Sequence, residues 1–260
     1  MAGLIAIAPP ARGVYRLVRG PSPPFAPPDW EYALADGTFG NRFDDPTAED
    51  GVPQALRFRA IYCATTRIAC FGETLARFRP SLSLLARLDA IIDEEALPDA
   101  LAGAVDPDDW RRGIVPTDWR LRRRIGQTIF DPGLLFVDIA APETMHYLRT
   151  ALAPLATRLG LTDIDLGTMT GQQRRFTQGF ARHVYDRADA SGRPRFAGIR
   201  YLSRLNPEWE CWAAFDRRLR HSAGWPGFPV SILADDPDLL AIASLFDLSV
   251  EVASGSFTRP

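Results

Sequence analysis

Apolar positions alternate with polar ones in several short runs, and the changes of period along the chain mark its elements. In GVYRLVRG, Val14, Arg16 and Val18 alternate with Tyr15 and Leu17, which predicts a short strand. A Pro-stiffened extended stretch, PSPPFAPPDW (Pro21 to Trp30), follows it. ADGTFGNRFDDP (Ala35 to Pro46), dense in Gly, Asn, Asp and Pro, predicts a loop with tight turns. FRAIYCAT (Phe58 to Thr65) predicts a second strand. One of Thr65 and Thr66 is placed to N-cap a helix over about Arg67 to Arg79, which Pro80 stops. A Leu/Ala/Ile-rich stretch (Leu82 to Leu101) and an irregular segment, VDPDDWRRGIVPTDW, come next.

LLFVDIA (Leu134 to Ala140) is a continuous apolar run of strand length. Pro142 opens a helix expected to reach about Leu159. A second helix is expected over about Gln172 to Ala188, with Thr170 as its cap. GIRYLSR (Gly198 to Arg204) and CWAAFD (Cys211 to Asp216) predict two buried strands. The C-terminal part should hold a strand at PVSIL, a helix around Asp235 to Phe246 and a strand at DLSVEV. Strands and helices alternate without a strict βαβ rhythm, so the expected fold class is α+β or mixed α/β. No linker divides the 260 residues, which are expected to form a single domain, 1–260.

Composition narrows the chemistry. All 30 basic side chains are arginine and no lysine occurs. That excludes a P-loop, a protein-kinase site and a Schiff-base mechanism, and it leaves guanidinium forks, helix N-termini and backbone N–H groups to hold anions. A net charge of −2 gives no general attraction to nucleic acid or anionic membrane. Three cysteines, Cys63, Cys70 and Cys211, make a disulfide framework improbable and favour a reducing, cytoplasmic setting. No apolar run approaches the ~18 residues of a membrane span, and the opening MAGLIAIAPP lacks the basic start of a signal peptide.

The common site motifs are absent. Gly160, Gly167 and Gly171 do not form a dinucleotide fingerprint, and no nucleophile elbow occurs. His146, His183 and His221 are scattered, and Cys63 and Cys70 read as core residues, so no metal site is expected. Asp44, Asp45, Glu49 and Asp50 suggest a calcium loop, but Pro46 interrupts it and its glycine and glutamate positions are wrong. Trp110, Arg111, Arg112, Trp119, Arg120, Arg122, Arg123 and Arg124 resemble a nucleic-acid patch. Asp106, Asp108, Asp109 and Asp118 among them favour a solvated face or a local ion-pair network.

One ordered set remains: GVYRL with Tyr15 and Arg16, GNRFDDP with Arg42, AIYCATTRIACFGETL with Tyr62 and Glu73, and GIRYLSR with Ser203. Together these resemble the RES-domain family, named for its arginine, glutamate and serine. The resemblance covers Val14 to Glu73 and Gly198 to Phe215. It implies a mixed-sheet, ADP-ribosyltransferase-like core and an enzyme that consumes NAD as substrate without a metal. Several members of the family are bacterial toxins paired with a DNA-binding antitoxin, so a helix-turn-helix partner is an expectation here.

NAD gives each residue something to do. Arg16 and Arg42 are forks for a pyrophosphate. Tyr62, with Tyr15 beside Arg16, could stack on a ring or bond a ribose. A carboxylate beneath the anomeric carbon stabilises the oxocarbenium-like transition state of nicotinamide–ribose cleavage, and Glu73 is the candidate. Ser203 would orient the carboxamide or ribose. The acceptor of ADP-ribose is phosphate, water or a protein side chain, and the resemblance favours phosphate as co-substrate.

Each residue also has a plainer reading. Glu73 and Arg77, at i and i+4, could be a surface salt bridge. Arg16 could pair with a core carboxylate, Arg42 could be a solvated loop residue, and Ser203 and Tyr62 could be packing. Two departures from the family's pattern stand out. Gly40-Asn41-Arg42-Phe43 replaces Gly-Gly-Arg-Trp, with an aromatic kept to wall the pocket. The long separation of Glu73 and Ser203 implies an insertion at about 82–195, extending the core or covering the site. Two other functions stay open: a non-catalytic nucleotide- or partner-binding module on the same fold, and nucleic-acid binding through Trp110 to Arg124.

Overall fold

A computed structural model describes residues 3–20, 22–82, 85, 113–219, 229–253 and 256–258. Most of the Leu82 to Leu101 stretch, the segment with Asp106, Asp108, Asp109, Trp110, Arg111 and Arg112, and His221 lie outside the described residues. The strands are β1 Ala6–Ile7, β2 Val14–Arg19, β3 Ala60–Ala64, β4 Ile114–Val115, β5 Arg123–Thr128, β6 Phe136–Asp138, β7 Gly198–Leu202, β8 Glu210–Phe215, β9 Val230–Ser231, β10 Ser249–Ala253 and β11 Ser256–Thr258. The helices are α1 Arg67–Leu75, α2 Thr117–Leu121, α3 Pro142–Ala151, α4 Ala153–Arg158, α5 Leu166–Thr170, α6 Arg174–Tyr185, α7 Asp216–Leu219 and α8 Pro237–Leu245. The fold is mixed α+β, and no helix among the described residues is long and apolar enough to cross a membrane.

Eight strands form the main sheet in the order β1-β6-β7-β8-β3-β2-β5-β9, and β11-β10-β4 form a smaller one. In the main sheet β6 and β7 run parallel and the other pairs antiparallel. A parallel pair needs a long crossover, and α3 to α6 supply it. The period-2 pattern sorts side chains between two apolar layers. On β8, Cys211, Ala213 and Phe215 join the larger cluster, which includes the buried faces of α1 and α6, while Trp212 and Ala214 join the smaller. Phe25, from the Pro-rich stretch, covers the smaller layer.

The strands expected at GVYRLVRG, FRAIYCAT, LLFVDIA, GIRYLSR, CWAAFD and DLSVEV are present as β2, β3, β6, β7, β8 and β10. Other expectations need correction. The predicted helix from Pro142 breaks at Leu152, because Pro154 has no N–H to continue it and instead sits in the first turn of α4. The later helix begins at Arg174 with Gln173 as N-cap. Thr170 closes α5, its hydroxyl donating to the Leu166 carbonyl. Within the segment expected to be irregular, β4 and α2 form. The strand at PVSIL is reduced to Val230–Ser231. Of the 82–195 stretch, the described residues from Gly113 on contribute to the core: β5 and β6 are main-sheet strands on opposite sides of β3.

α1 is fixed at its start. The Thr66 hydroxyl accepts from the Ala69 N–H at 3.2 Å. Arg67 binds Asp236 at 2.5 Å and Asp238 at 2.6 Å at the start of α8. Further along, Gly72 lies beneath the Trp209 indole: a Cβ there would fall 2.1 Å from a ring carbon. Alanine in place of an ordinary helix-interior glycine stabilises by about 1 kcal/mol. Here Gly72→Ala is expected instead to destabilise, by about 1–3 kcal/mol, as read by the midpoint of urea unfolding.

Candidate functional site

The sheet opens between β2 and β3. β2 pairs with β5 along its whole length, yet meets β3 only at Tyr15 opposite Ala64. The two strands diverge from there, and a cavity of about 960 Å³ lies along the opening. Arg16 and Leu17 of β2 and Ala60, Tyr62, Cys63 and Ala64 of β3 line it, together with Glu73 of α1, Arg77 in the turn just after that helix, Tyr201 of β7 and the loop carrying Arg42. Its volume is that of a site for a sizeable small molecule. Among the described lining residues, Glu73 is the one carboxylate, facing Arg16, Arg42, Arg77, Arg174 and Arg204.

Glu73 does not form the surface salt bridge with Arg77 that their spacing allows. The buried Ser203 hydroxyl donates to Glu73 Oε1 and accepts from the Leu205 N–H at 3.0 Å. The Ser203 N–H in turn donates to the Trp209 carbonyl at 2.9 Å. Trp209 rests on Gly72, one residue from Glu73, so the turn after β7 and helix α1 are locked in register. Ser203 is therefore a positioning residue for the carboxylate. Its place differs from the expected one, beside a ligand's carboxamide or ribose, because it does not line the cavity. Losing a hydrogen bond to a charged group costs about 1.5–3 kcal/mol. Ser203→Ala should accordingly ease unfolding by about that amount, as read by the midpoint of urea unfolding.

The Arg42 loop is built around Asp44, which was considered above only for calcium. Asp44 Oδ2 accepts the N–H groups of Phe39 at 2.9 Å and Asn41 at 2.7 Å. Its Oδ1 accepts the Tyr62 hydroxyl at 3.2 Å. The Tyr62 oxygen also accepts the Phe43 N–H at 2.8 Å, so this tyrosine ties strand to loop while its ring lines the cavity. Gly40 takes φ +72°, a left-handed turn open to glycine. α6 holds the loop from outside, with Arg174 donating to the Gly40 carbonyl and Gln178 to the Asn41 carbonyl at 3.0 Å. Phe43 is not a pocket wall. It is wholly buried, packed edge-on against Tyr201 at 5.1 Å, and anchors the loop in the core. Phe39, Tyr62 and Tyr201 are the aromatic walls.

Arg42 is half-buried, not solvated, with Nη1 donating to the Met169 carbonyl at 3.1 Å. Arg16 pairs with no core carboxylate among the described residues. Its Nη1 donates to the carbonyls of Pro24 and Ala26 at 2.7 and 2.9 Å, which fold the Pro-rich stretch over it. Burial lowers the pKa of both guanidiniums. Desolvated cations paired with carbonyl dipoles gain strongly from an anionic ligand. Tyr15 stands apart: its side chain packs against the larger apolar layer, outside the cavity lining, and its carbonyl accepts the Cys70 thiol at 3.0 Å.

Cys63, Cys70 and Cys211 are free, buried thiols on the cavity wall. Burial pushes all three upward in pKa, so they are walls and not nucleophiles. Burial likewise keeps the Tyr62 and Tyr201 phenols protonated, as donors. Comparison of the chain with protein-family models, with curated proteins and with solved structures finds no match.

Proposed function

We propose that the protein cleaves the nicotinamide–ribose bond of NAD, on an ADP-ribosyltransferase-like core whose cleft is the opening between β2 and β3. One observation carries this reading: among the described lining residues a single carboxylate, oriented by a buried serine, faces a cavity otherwise charged by arginines. A cationic wall recruits a pyrophosphate. The carboxylate is the complementary group for a cation that appears only in the transition state.

In this reading Arg16 and Arg42 hold the pyrophosphate, and the aromatic walls take the rings. Glu73 Oε1 is held by Ser203, which leaves Oε2 for the anomeric carbon. As the C1′–N bond breaks, its electron pair leaves with neutral nicotinamide, and Glu73 stabilises the oxocarbenium-like carbon until an acceptor oxygen adds. Phosphate is the preferred acceptor by resemblance to the RES-domain family; water and a protein side chain are the others. By the same resemblance the biological role is that of a toxin held by a helix-turn-helix antitoxin.

Incubation with NAD followed by chromatography tests the acceptor. Phosphorolysis gives nicotinamide and ADP-ribose 1-phosphate, hydrolysis gives free ADP-ribose, and transfer gives ADP-ribosylated protein. Tight NAD binding with none of these products would replace the enzyme by a binding module on the same fold.

A further inference from the structure

A second cavity, of about 560 Å³, lies on the other side of the Arg42 loop. The loop is the wall between the two: Phe39, Gly40, Asn41 and Arg42 line the first, and Asp36, Thr38, Thr47 and Asp50 line the second. Helix α6 is shared in the same way, with Arg174 on the first and Arg175, Gln178 and Arg182 on the second. The volume is in the range of a small-molecule site, and none of the chemistry proposed for the first cavity involves it.

Its two sides carry opposite charge. The loop contributes the carboxylates Asp36, Glu49 and Asp50, and the helices contribute the guanidiniums of Arg158 on α4 and of Arg175 and Arg182 on α6. Some of these charges satisfy one another. Glu49 takes both terminal nitrogens of Arg175, at 2.5 and 2.6 Å, and Arg182 binds Asp45 at 3.2 Å and Asp186 at 2.9 Å. Others are left over. The Asp50 and Arg158 side chains make no hydrogen bond or ion pair among the described residues. Asp36 is met only by the Thr38 N–H and hydroxyl, both on Oδ1 at 2.9 Å. Pro46, Leu155 and Leu159 are the apolar part of the lining. Gly179 lets Leu155 of α4 lie close against α6, since a Cβ there would fall 2.4 Å from the leucine's Cδ2.

We propose that this second cavity binds a short peptide with free termini. The charges left over are carboxylates on one side and a guanidinium on the other. A complementary ligand carries a cation at one end, an anion at the other and an apolar body between them. The peptide's ammonium meets Asp36 and Asp50, its carboxylate takes the Arg158 fork, and its side chains cover Leu155 and Leu159. A dianion such as phosphate is disfavoured by the same two carboxylates. The peptide touches both the loop and α6, which Gln178 already joins through the Asn41 carbonyl. On the loop itself the Thr38 hydroxyl accepts the Gly40 N–H at 3.1 Å, two residues from Arg42. Peptide and first-cavity ligand therefore favour one arrangement of the loop, and each raises the affinity of the other by the same factor. This coupling rests on the NAD reading, but the site does not.

The experiment titrates the full chain calorimetrically with leucyl-leucine, which carries both charges and an apolar body. It compares wild type with Asp50→Asn and Arg158→Gln, two exposed positions whose side chains the fold does not use. Loss of a charge-assisted contact should weaken the dipeptide by about tenfold in each variant. N-acetyl-leucyl-leucine, which lacks the ammonium, should bind wild type no better than the free dipeptide binds Asp50→Asn. No binding of the free dipeptide to wild type, equal binding by the three proteins, or equal binding of the free and acetylated forms would overturn the site. A titration with NAD, with and without saturating dipeptide, tests the coupling: tighter NAD binding supports it, and unchanged affinity refutes it while the site stands. Dipeptide binding that depends on both residues in a protein releasing no nicotinamide would refute the NAD reading and leave the site standing.

Discussion

Replacing Glu73 with glutamine should lower the rate of nicotinamide release from NAD by about 10²- to 10³-fold or more, while NAD affinity changes little. The substitution keeps the side chain's size and its ability to accept from Ser203. It removes only the negative charge. An interaction that exists in the transition state and not in the ground state appears in kcat and not in KM. No other carboxylate among the described lining residues could substitute for it. A fall in affinity with kcat preserved would instead make Glu73 a ribose-binding group.

Asp44→Ala should have an effect nearly as large, by a different route. Asp44 is almost fully buried, and its removal strands the N–H groups of Phe39 and Asn41 and the Tyr62 hydroxyl. These donors are part-buried, so each lost bond costs the lower end of the range for an unmet donor, about 1 kcal/mol, and unfolding should become easier by about 3 kcal/mol. The loop they organise carries Arg42, so the variant should also bind NAD about 10²-fold more weakly. Tyr62→Phe removes the hydroxyl's bond to Asp44 and the acceptor of the Phe43 N–H, and leaves the two N–H bonds to Asp44 intact. It should give an intermediate effect in both measurements. Equal affinity of Asp44→Ala and wild type for NAD would separate the Arg42 loop from ligand binding.

What the chain discloses about itself follows the range of the interactions. β2, β3, β7 and β8 and the Thr66 cap are legible because alternation and capping are local. The break between α3 and α4 was missed: Pro154 carries it, but the apolar period runs through and conceals it. β5 was hidden because RRIGQT has a polar face crowded with arginine. β1 and β4 are two residues each and leave no periodic trace, and β9, expected at PVSIL, keeps only two of its residues.

In the candidate site, Glu73, Arg16, Arg42 and Tyr62 meet around one cavity as the order of motifs implied, and Ser203 meets Glu73 from behind. Asp44 was overlooked because two aspartates among turn residues look like ordinary loop composition. Its signal was an acidic residue followed by an apolar strand whose tyrosine needs an acceptor. Tyr15 was included for its place beside Arg16, yet its side chain packs against the larger apolar layer, whereas Arg16 reaches the opening. One of the pair lines the cavity and the other does not.

The most direct test of the account is the time course of nicotinamide released from NAD by the wild-type protein and by Glu73→Gln, under the same conditions with phosphate present. Many turnovers by the wild type and about 10²- to 10³-fold fewer by the variant are the predicted result. Equal release by the two proteins, or none by the wild type while it binds NAD, would contradict it.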